Sequence, residues 1–189
     1  MNKQQQQEIV STPHTRREGQ GKESEGRVTS LLFICLGNIC RSPAAEGVMQ
    51  RLVDERGVAH LFEIDSAGTY GGHSGQLPDQ RMRVHARRRG YELTHRARRI
   101  TGYDMGDFDM IVAMDDANRA DLVRLARTPE EVQKIVMIGN YITQNPHYDY
   151  VPDPYYEGSE GFELALDLLE DACVQLLNEI LAKLKEQNN

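Results

Sequence analysis

Cys35 and Arg41 stand six positions apart, with Leu36, Gly37, Asn38, Ile39 and Cys40 between them and Ser42-Pro43 after them. A thiol, a guanidinium and a glycine-asparagine turn at this spacing suit the capture of a tetrahedral oxyanion. Successive backbone N–H groups in a tight turn form an anion-binding nest. The planar fork of Arg41 matches two oxygens of a phosphate. Gly37 and Asn38 tolerate the positive φ that a loop wrapping an anion needs. The same donors favour a thiolate, and a thiolate beneath a bound phosphate is a nucleophile aimed at phosphorus. The Ser42 hydroxyl can donate to that sulfur. The bare Cys–Arg spacing arises often by chance, and a strand-terminal cysteine is often a small core residue. The surrounding elements therefore decide the reading.

Val28 to Cys35 reads as a short buried strand around Leu31, Leu32, Phe33 and Ile34. Arg41-Ser42-Pro43 opens a helix carrying Ala44, Ala45, Val48, Met49, Leu52 and Val53, and Gly57 closes it. The loop thus joins the carboxyl end of a strand to a helix N-terminus, which adds partial positive charge. Further strands are expected at 62–66, 109–114 and 134–139, and further helices at 78–90 and 115–127. Residues 67–77 read as a Gly-rich loop, and 140–158, with Pro146, Pro152 and Pro154, as a long one. From Ser159 to Glu186 the residues Phe162, Ala165, Leu169, Cys173, Leu176, Ile180 and Leu184 fall on one helical face, with Cys173 read as core. Strands alternating with helices predict an α/β fold: a four-stranded parallel sheet with helices on both faces, a flavodoxin-like or Rossmann-like three-layer arrangement. Ligands in such folds bind beyond the carboxyl ends of the strands, where Cys35 lies. Residues 1–27 contain Gln4–Gln7 and mixed charge without hydrophobic period, and are expected to be a flexible, disordered tail before a domain at 28–189.

The segment Cys35–Pro43 resembles the phosphate-binding loop of the low-molecular-weight protein tyrosine phosphatases. Asp153-Pro154-Tyr155-Tyr156 is similar to that family's Asp-Pro loop, and weaker matches occur at 66–69, at Thr94-His95 and at 114–118. The matching segments run in order from about Val28 to the end of the last helix. The resemblance implies hydrolysis of phosphotyrosine in proteins, with Cys35 as nucleophile, Arg41 on the phosphoryl oxygens and Asp153 as general acid, then base. It implies no metal and no cofactor, because Arg41 and the loop amides hold the charge. Tyr155 and Tyr156 would line the mouth, one of them packing on the domain. A further wall, frequently aromatic in the family, should lie near Gly72 and His73; Gly72 is small, and Tyr70 is the aromatic residue nearby. Asn38 would shape the loop, Ser42 would orient the sulfur, and His95 with Asp115 would support Ser42. Cys40 would pair reversibly with Cys35 as a redox partner.

The chain has 189 residues, 22 basic and 29 acidic, for a net charge of −7. That balance argues against general nucleic-acid or anionic-membrane binding. No apolar run is long enough to span a bilayer, and the first residues lack the apolar stretch of a secretory signal. Three cysteines cannot build a disulfide scaffold, so a reducing, cytoplasmic setting is expected. Eight arginines lie within 81–99 against the single acid Glu92. This reads first as a solvated helix face and second as a dock for acidic phosphopeptides. Expected partners are phosphotyrosine-containing proteins, a tyrosine kinase among them, and phosphate or similar oxyanions.

Three other functions fit the loop less well. A thioredoxin-coupled arsenate reductase needs a further cysteine pair, and no cysteine lies between Cys40 and Cys173. A protein-arginine phosphatase characteristically has Thr where this chain has Ile39. A non-catalytic phosphotyrosine-binding module would have lost Cys35, Arg41 or Asp153.

Overall fold

The computed structural model describes residues 28–187. The tail expected at 1–27 lies outside the described residues. Four strands, β1 (Thr29–Cys35), β2 (Phe62–Gly68), β3 (Met110–Ala113) and β4 (Ile135–Met137), form one sheet in the order β2-β1-β3-β4. All pairings are parallel. The helices are α1 (Arg41–Glu55), α2 (Gln80–Arg88), α3 (Gly102–Asp107), α4 (Asp116–Leu125), α5 (Pro129–Gln133) and α6 (Ser159–Gln187).

The alternation of side chains along β1 builds both layers. Leu31, Phe33 and Cys35 face a core shared with α1, α2 and α6, including Val48, Met82, Leu169 and Leu176. Leu32 and Ile34 face a second core with Met105, Ile111 and Leu122. A strand buried on both faces is continuously apolar, which is why its sequence shows no period of two. In α6, Phe162, Ala165, Leu169, Cys173, Leu176 and Ile180 are all buried, and Leu184 is partly so.

The structure adds two short helices, α3 and α5, of six and five residues. Neither is long enough to show a hydrophobic period. Both are set by N-terminal capping instead: Thr101 with Asp104 at α3, and Thr128 with Pro129 at α5. β2 runs two residues past its expected end, because Ala67 and Gly68 continue the pairing with Ile34 and Cys35.

Arg89, at the C-terminus of α2, ties that helix to α6. Its guanidinium reaches Glu163, Asp167 (2.7 Å) and Glu170 (2.9 Å). Arg81, Arg87 and Arg98 are likewise paired with carboxylates, and Arg96 donates to the Gly75 carbonyl. The arginine-rich stretch is therefore largely committed to internal contacts. Arg89→Ala is expected to lower stability by about 1–2 kcal/mol in denaturant titrations, because Glu163 and Glu170 are only partly buried and Asp167 is exposed. The hydrogen bond from His85, and then Arg89, hold the Glu163 carboxyl below the ordinary glutamate value. A depressed folded-state value contributes stability that is present above the ordinary value and lost as pH falls through the folded one. In Glu163→Gln, the loss of stability on acidification should therefore be shallower than in wild type, as read by unfolding midpoints down the acid limb.

Candidate active site

The turn from β1 to α1 folds back on itself around the Cys35 sulfur. Cys35 is nearly buried, and its Sγ accepts the Asn38 N–H at 3.2 Å and contacts the Ser42 hydroxyl at 3.1 Å. Asn38 makes this possible by adopting φ +54°, in the left-handed region that asparagine tolerates. Its side-chain amide donates to Ser42 Oγ and Ser66 Oγ, both at 2.9 Å. Its Oδ1 accepts the Arg98 N–H at 2.9 Å and faces His95 Nε2 at 3.0 Å. One buried side chain thus joins the loop, α1, β2 and the segment before α3.

The floor beneath the loop requires glycine at 68. A Cβ there would meet the Leu36 carbonyl at 2.6 Å and the Asn38 nitrogen at 3.0 Å. The loop carbonyls are held from outside: Thr69 N–H donates to Cys35, Tyr70 N–H to Leu36 and Asp79 N–H to Ile39. Asn38→Ala should cost about 2–4 kcal/mol of stability and at least about tenfold in turnover, from four lost hydrogen bonds and a strained φ. Asn38→Gly should recover about 1 kcal/mol of that stability, because only the backbone strain is relieved. Denaturant midpoints for the pair separate the two effects.

Arg41 begins α1 and is almost fully buried. One terminal nitrogen binds Asp115 at 2.5 Å and the Val151 carbonyl at 3.2 Å, and the other binds Asp153 at 2.7 Å. Burial works against its charge, but Cys35, Asp153 and Asp115 outweigh it and keep the guanidinium protonated. Its Nε is buried without a hydrogen-bond partner among the described residues. A buried donor of this kind is costly unless a ligand accepts from it, and an oxyanion held by the loop would do so.

Asp115 departs from the expected arrangement. It does not support Ser42; it grips Arg41 and caps α4 by accepting the Asn118 N–H at 2.7 Å. The end of β3 brings it to the guanidinium, a placement set by the sheet order. His95 likewise reaches Ser42 only through Asn38.

Asp153 comes from the 138–158 connection, which contains two short 3-10 turns, Ile138–Tyr141 and Pro154–Tyr156. Asp171 of α6 anchors this connection by accepting from Thr143 N (2.6 Å), Thr143 Oγ1 (2.8 Å) and Gln144 N (2.8 Å). The Val151 N–H donates to the Met114 carbonyl at 2.9 Å. The chain passes so close to Gly139 that a Cβ there would lie 1.7 Å from the Asp149 carbonyl oxygen. The Asp153 Oδ1 caps the following turn from the Tyr155 N–H, leaving Oδ2 for Arg41.

A cleft of about 200 Å³ opens over this centre, lined by the loop, Arg41, Asp153, Tyr70, His73, Tyr155 and Tyr156. Tyr155 is half-buried with Arg81 stacked 5.3 Å from its ring centre, whereas Tyr156 is 91% exposed. The ring of Tyr70 covers Gly72: a Cβ at Gly72 would lie 2.3 Å from three atoms of that side chain. The small residue and the displaced tyrosine are thus two halves of one wall. His73 also lies on the cleft, its Cδ2 3.0 Å from where a Cβ of Gly37 would be. Cys40 is buried, and burial, Asp79 and the Cys35 sulfur push its thiol up.

Glu46 escaped the reading of the sequence, although it stands four residues after Ser42 on α1, the spacing of one helical face. It accepts from the Ser66 hydroxyl at 2.6 Å.

A parallel α/β scaffold carrying a cysteine-centred oxyanion loop defines a class of phosphoryl-handling proteins. Residues 30–188 match the family model described as low molecular weight phosphotyrosine protein phosphatase. A Synechocystis protein named as a candidate low molecular weight protein-tyrosine-phosphatase is 45% identical over 150 residues, covering 79% of this chain and 95% of its own. The crystal structure of an Entamoeba histolytica protein tyrosine phosphatase with Hepes in its active site shares 40% identity at a TM-score of 0.79, covering 82% of this chain and 98% of its own. A Drosophila arginine phosphatase structure shares 33% identity at a TM-score of 0.74, covering 79% and 96%. The chain belongs to the low-molecular-weight phosphotyrosine protein phosphatase family and is an enzyme of that type. None of the described helices is long and apolar enough to cross a membrane.

Proposed function

We propose that the domain from residue 28 onward hydrolyses phosphotyrosine esters in two steps at Cys35. The observation that carries this reading is the convergence on one buried guanidinium. Arg41 stands at the helix end of the Cys35 loop and holds the Asp153 carboxylate at 2.7 Å. Nucleophile, anion receptor and proton donor therefore share one centre.

In the first step the Cys35 thiolate attacks phosphorus in line. The S–P bond forms as the P–O bond to the phenol breaks, and protonated Asp153 gives its proton to the leaving oxygen. In the second step ionised Asp153 takes a proton from water. The water oxygen attacks phosphorus, the S–P bond breaks, and inorganic phosphate leaves with the thiolate restored. Arg41 and the loop N–H groups carry the charge on the equatorial oxygens throughout, so no step calls for a metal. The aromatic walls of Tyr70, Tyr155 and Tyr156 favour a flat phenyl ester, which also reaches the deep sulfur where phosphoserine is too short. Substrates are phosphotyrosine-containing proteins, a tyrosine kinase among them. Cys40, in the same loop, serves as a reversible disulfide partner that protects Cys35 from over-oxidation. Free thiols at all three cysteines suit a reducing, cytoplasmic setting.

The likeness to an arginine phosphatase makes phosphoarginine the second reading, and Ile39, which offers no hydroxyl to a phosphoramidate, weighs against it. Phosphate release is measured in reductant and chelator from a phosphotyrosine peptide and from a phosphoarginine protein. Turnover favouring the tyrosine ester supports the proposal. Preference for phosphoarginine overturns it, and oxyanion binding without turnover on either substrate identifies a binding module.

A further inference from the structure

Arg81 stands in the first turn of α2, where its guanidinium lies against two aromatic rings. The guanidinium carbon is 5.3 Å from the ring centre of Tyr155, in the cleft wall, and 4.9 Å from that of Phe162, in the first turn of α6. We propose that Arg81 is a positioning residue for substrate recognition: it holds the Tyr155 ring as a fixed wall for the phenyl group of the substrate. The inference rests on the reading of the cleft as a site for phenyl phosphate esters.

The argument starts from what fixes the guanidinium. Asp79 caps α2 by accepting the Arg81 N–H at 2.8 Å. The same carboxylate takes Arg81 Nε at 3.0 Å on one oxygen and Nη2 at 2.8 Å on the other. A two-point pair of this kind sets the plane of the fork as well as its place. Asp79 is itself held, because its backbone N–H donates to the Ile39 carbonyl of the oxyanion loop at 2.7 Å. Its side chain is 13% exposed against 47% for Arg81, so the carboxylate is the anchor and the arginine the arm. Phe162 is fully buried and stacks on His85, one turn further along α2, with ring centres 5.5 Å apart and planes 7° apart. Arg81 therefore has a fixed partner for its fork and a fixed ring against its plane.

Tyr155 needs such a support. It belongs to a 3-10 turn of three residues, is only partly buried against the core, and meets edge-on, at 5.0 Å, a Tyr156 ring that is itself almost fully exposed. A guanidinium over an aromatic ring attracts it through the ring's electron-rich face. A wall fixed in advance receives a flat phenyl group without the cost of ordering the wall at the moment of binding. Asp79 matches the charge of Arg81, so Arg81 adds little to the attraction of a phosphoryl group. Its effect falls on the phenyl part of the ligand. A lysine would keep the charge but offers no plane and no two-point fork.

The test measures binding of phenylphosphonate and methylphosphonate to the full chain by calorimetry. Neither ion carries an ester bond to break, and the ratio of their affinities reads the contribution of the phenyl group. Wild type should prefer phenylphosphonate by at least about tenfold. Arg81→Ala and Arg81→Lys should each shrink that preference by about three- to fivefold while the affinity for methylphosphonate stays within about twofold. Adding Arg81→Ala to Tyr155→Ala should change the ratio no further, because the ring that Arg81 positions is already gone. Thermal melts confirm folding, and either Arg81 variant alone suffices. An equal loss of affinity for both ions overturns the proposal, since it makes Arg81 a charge or a support of the loop. A full additional loss in the Tyr155→Ala background overturns it as well. A wild-type protein without phenyl preference defeats the aromatic-wall reading and the proposal together, whereas a preference that survives both Arg81 substitutions defeats the proposal alone. Because nothing is hydrolysed, the result is independent of the roles of Cys35 and Asp153.

Discussion

Replacing Cys35 with serine should reduce phosphate release from a phosphotyrosine peptide by more than about 10⁴-fold, equivalent to more than about 5.5 kcal/mol of transition-state stabilisation. The substitution is nearly isosteric and leaves the donors around the position in place: the Asn38 N–H and the Ser42 hydroxyl would meet an oxygen instead of a sulfur. What is lost is the proposed nucleophile. A hydroxyl does not ionise near neutral pH, and its contacts at this position, the Asn38 N–H and the Ser42 hydroxyl, include no base to take its proton. Affinity for a phosphate-like oxyanion should remain within about tenfold of wild type, because Arg41 and the loop amides supply it. Competition by inorganic phosphate or tungstate, read by calorimetry, separates the two effects. Turnover that survives the substitution would move the nucleophile elsewhere and dismantle the mechanism.

Asp153→Asn should lower turnover by about 10²–10⁴-fold, the range expected for a positioned general acid. Two further signs distinguish this from a structural loss. With an aryl phosphate whose phenol is strongly acidic the deficit should shrink markedly, since such a leaving group departs without a proton. Phosphate should also bind more tightly to the variant. In the wild type Arg41 lies between the carboxylates of Asp115 and Asp153, and both oppose an incoming dianion. Removing one negative charge weakens that opposition while the asparagine oxygen can still cap the Tyr155 N–H. A uniform loss across leaving groups, with weaker phosphate binding, would assign Asp153 to holding Arg41 instead of to proton transfer.

The limits of the sequence follow from how far apart the interacting residues lie. Cys35, Asn38, Arg41 and Ser42 sit within eight consecutive residues, so the chemistry of the loop could be argued from residue types and from the strand before and helix after it. The buried strands and the apolar face of α6 were legible because burial imposes a run or a period on the sequence. The short helices α3 and α5 were not, because five or six residues carry no period and their cause is capping. Asp115 was expected to support Ser42 and meets Arg41 instead, since spacing along the chain says nothing about which of two loop residues a distant carboxylate meets. Arg89, which looked like part of a charged surface, turned out to be a cross-link, because its carboxylates at Glu163, Asp167 and Glu170 lie more than 70 residues away.

By itself, then, the sequence determined the parallel three-layer fold and the strand–loop–helix that carries Cys35 and Arg41, all consequences of local spacing, turn chemistry and hydrophobic pattern. Only the tertiary structure decided that Arg41 is shared by Asp115 and Asp153, that Tyr70 fills the space above Gly72, and that Glu46, Asp65 and His95 meet behind Asn38. Those contacts join separate elements across the sheet order β2-β1-β3-β4, and which side chains face each other there is set by register and packing, which no single stretch of chain encodes.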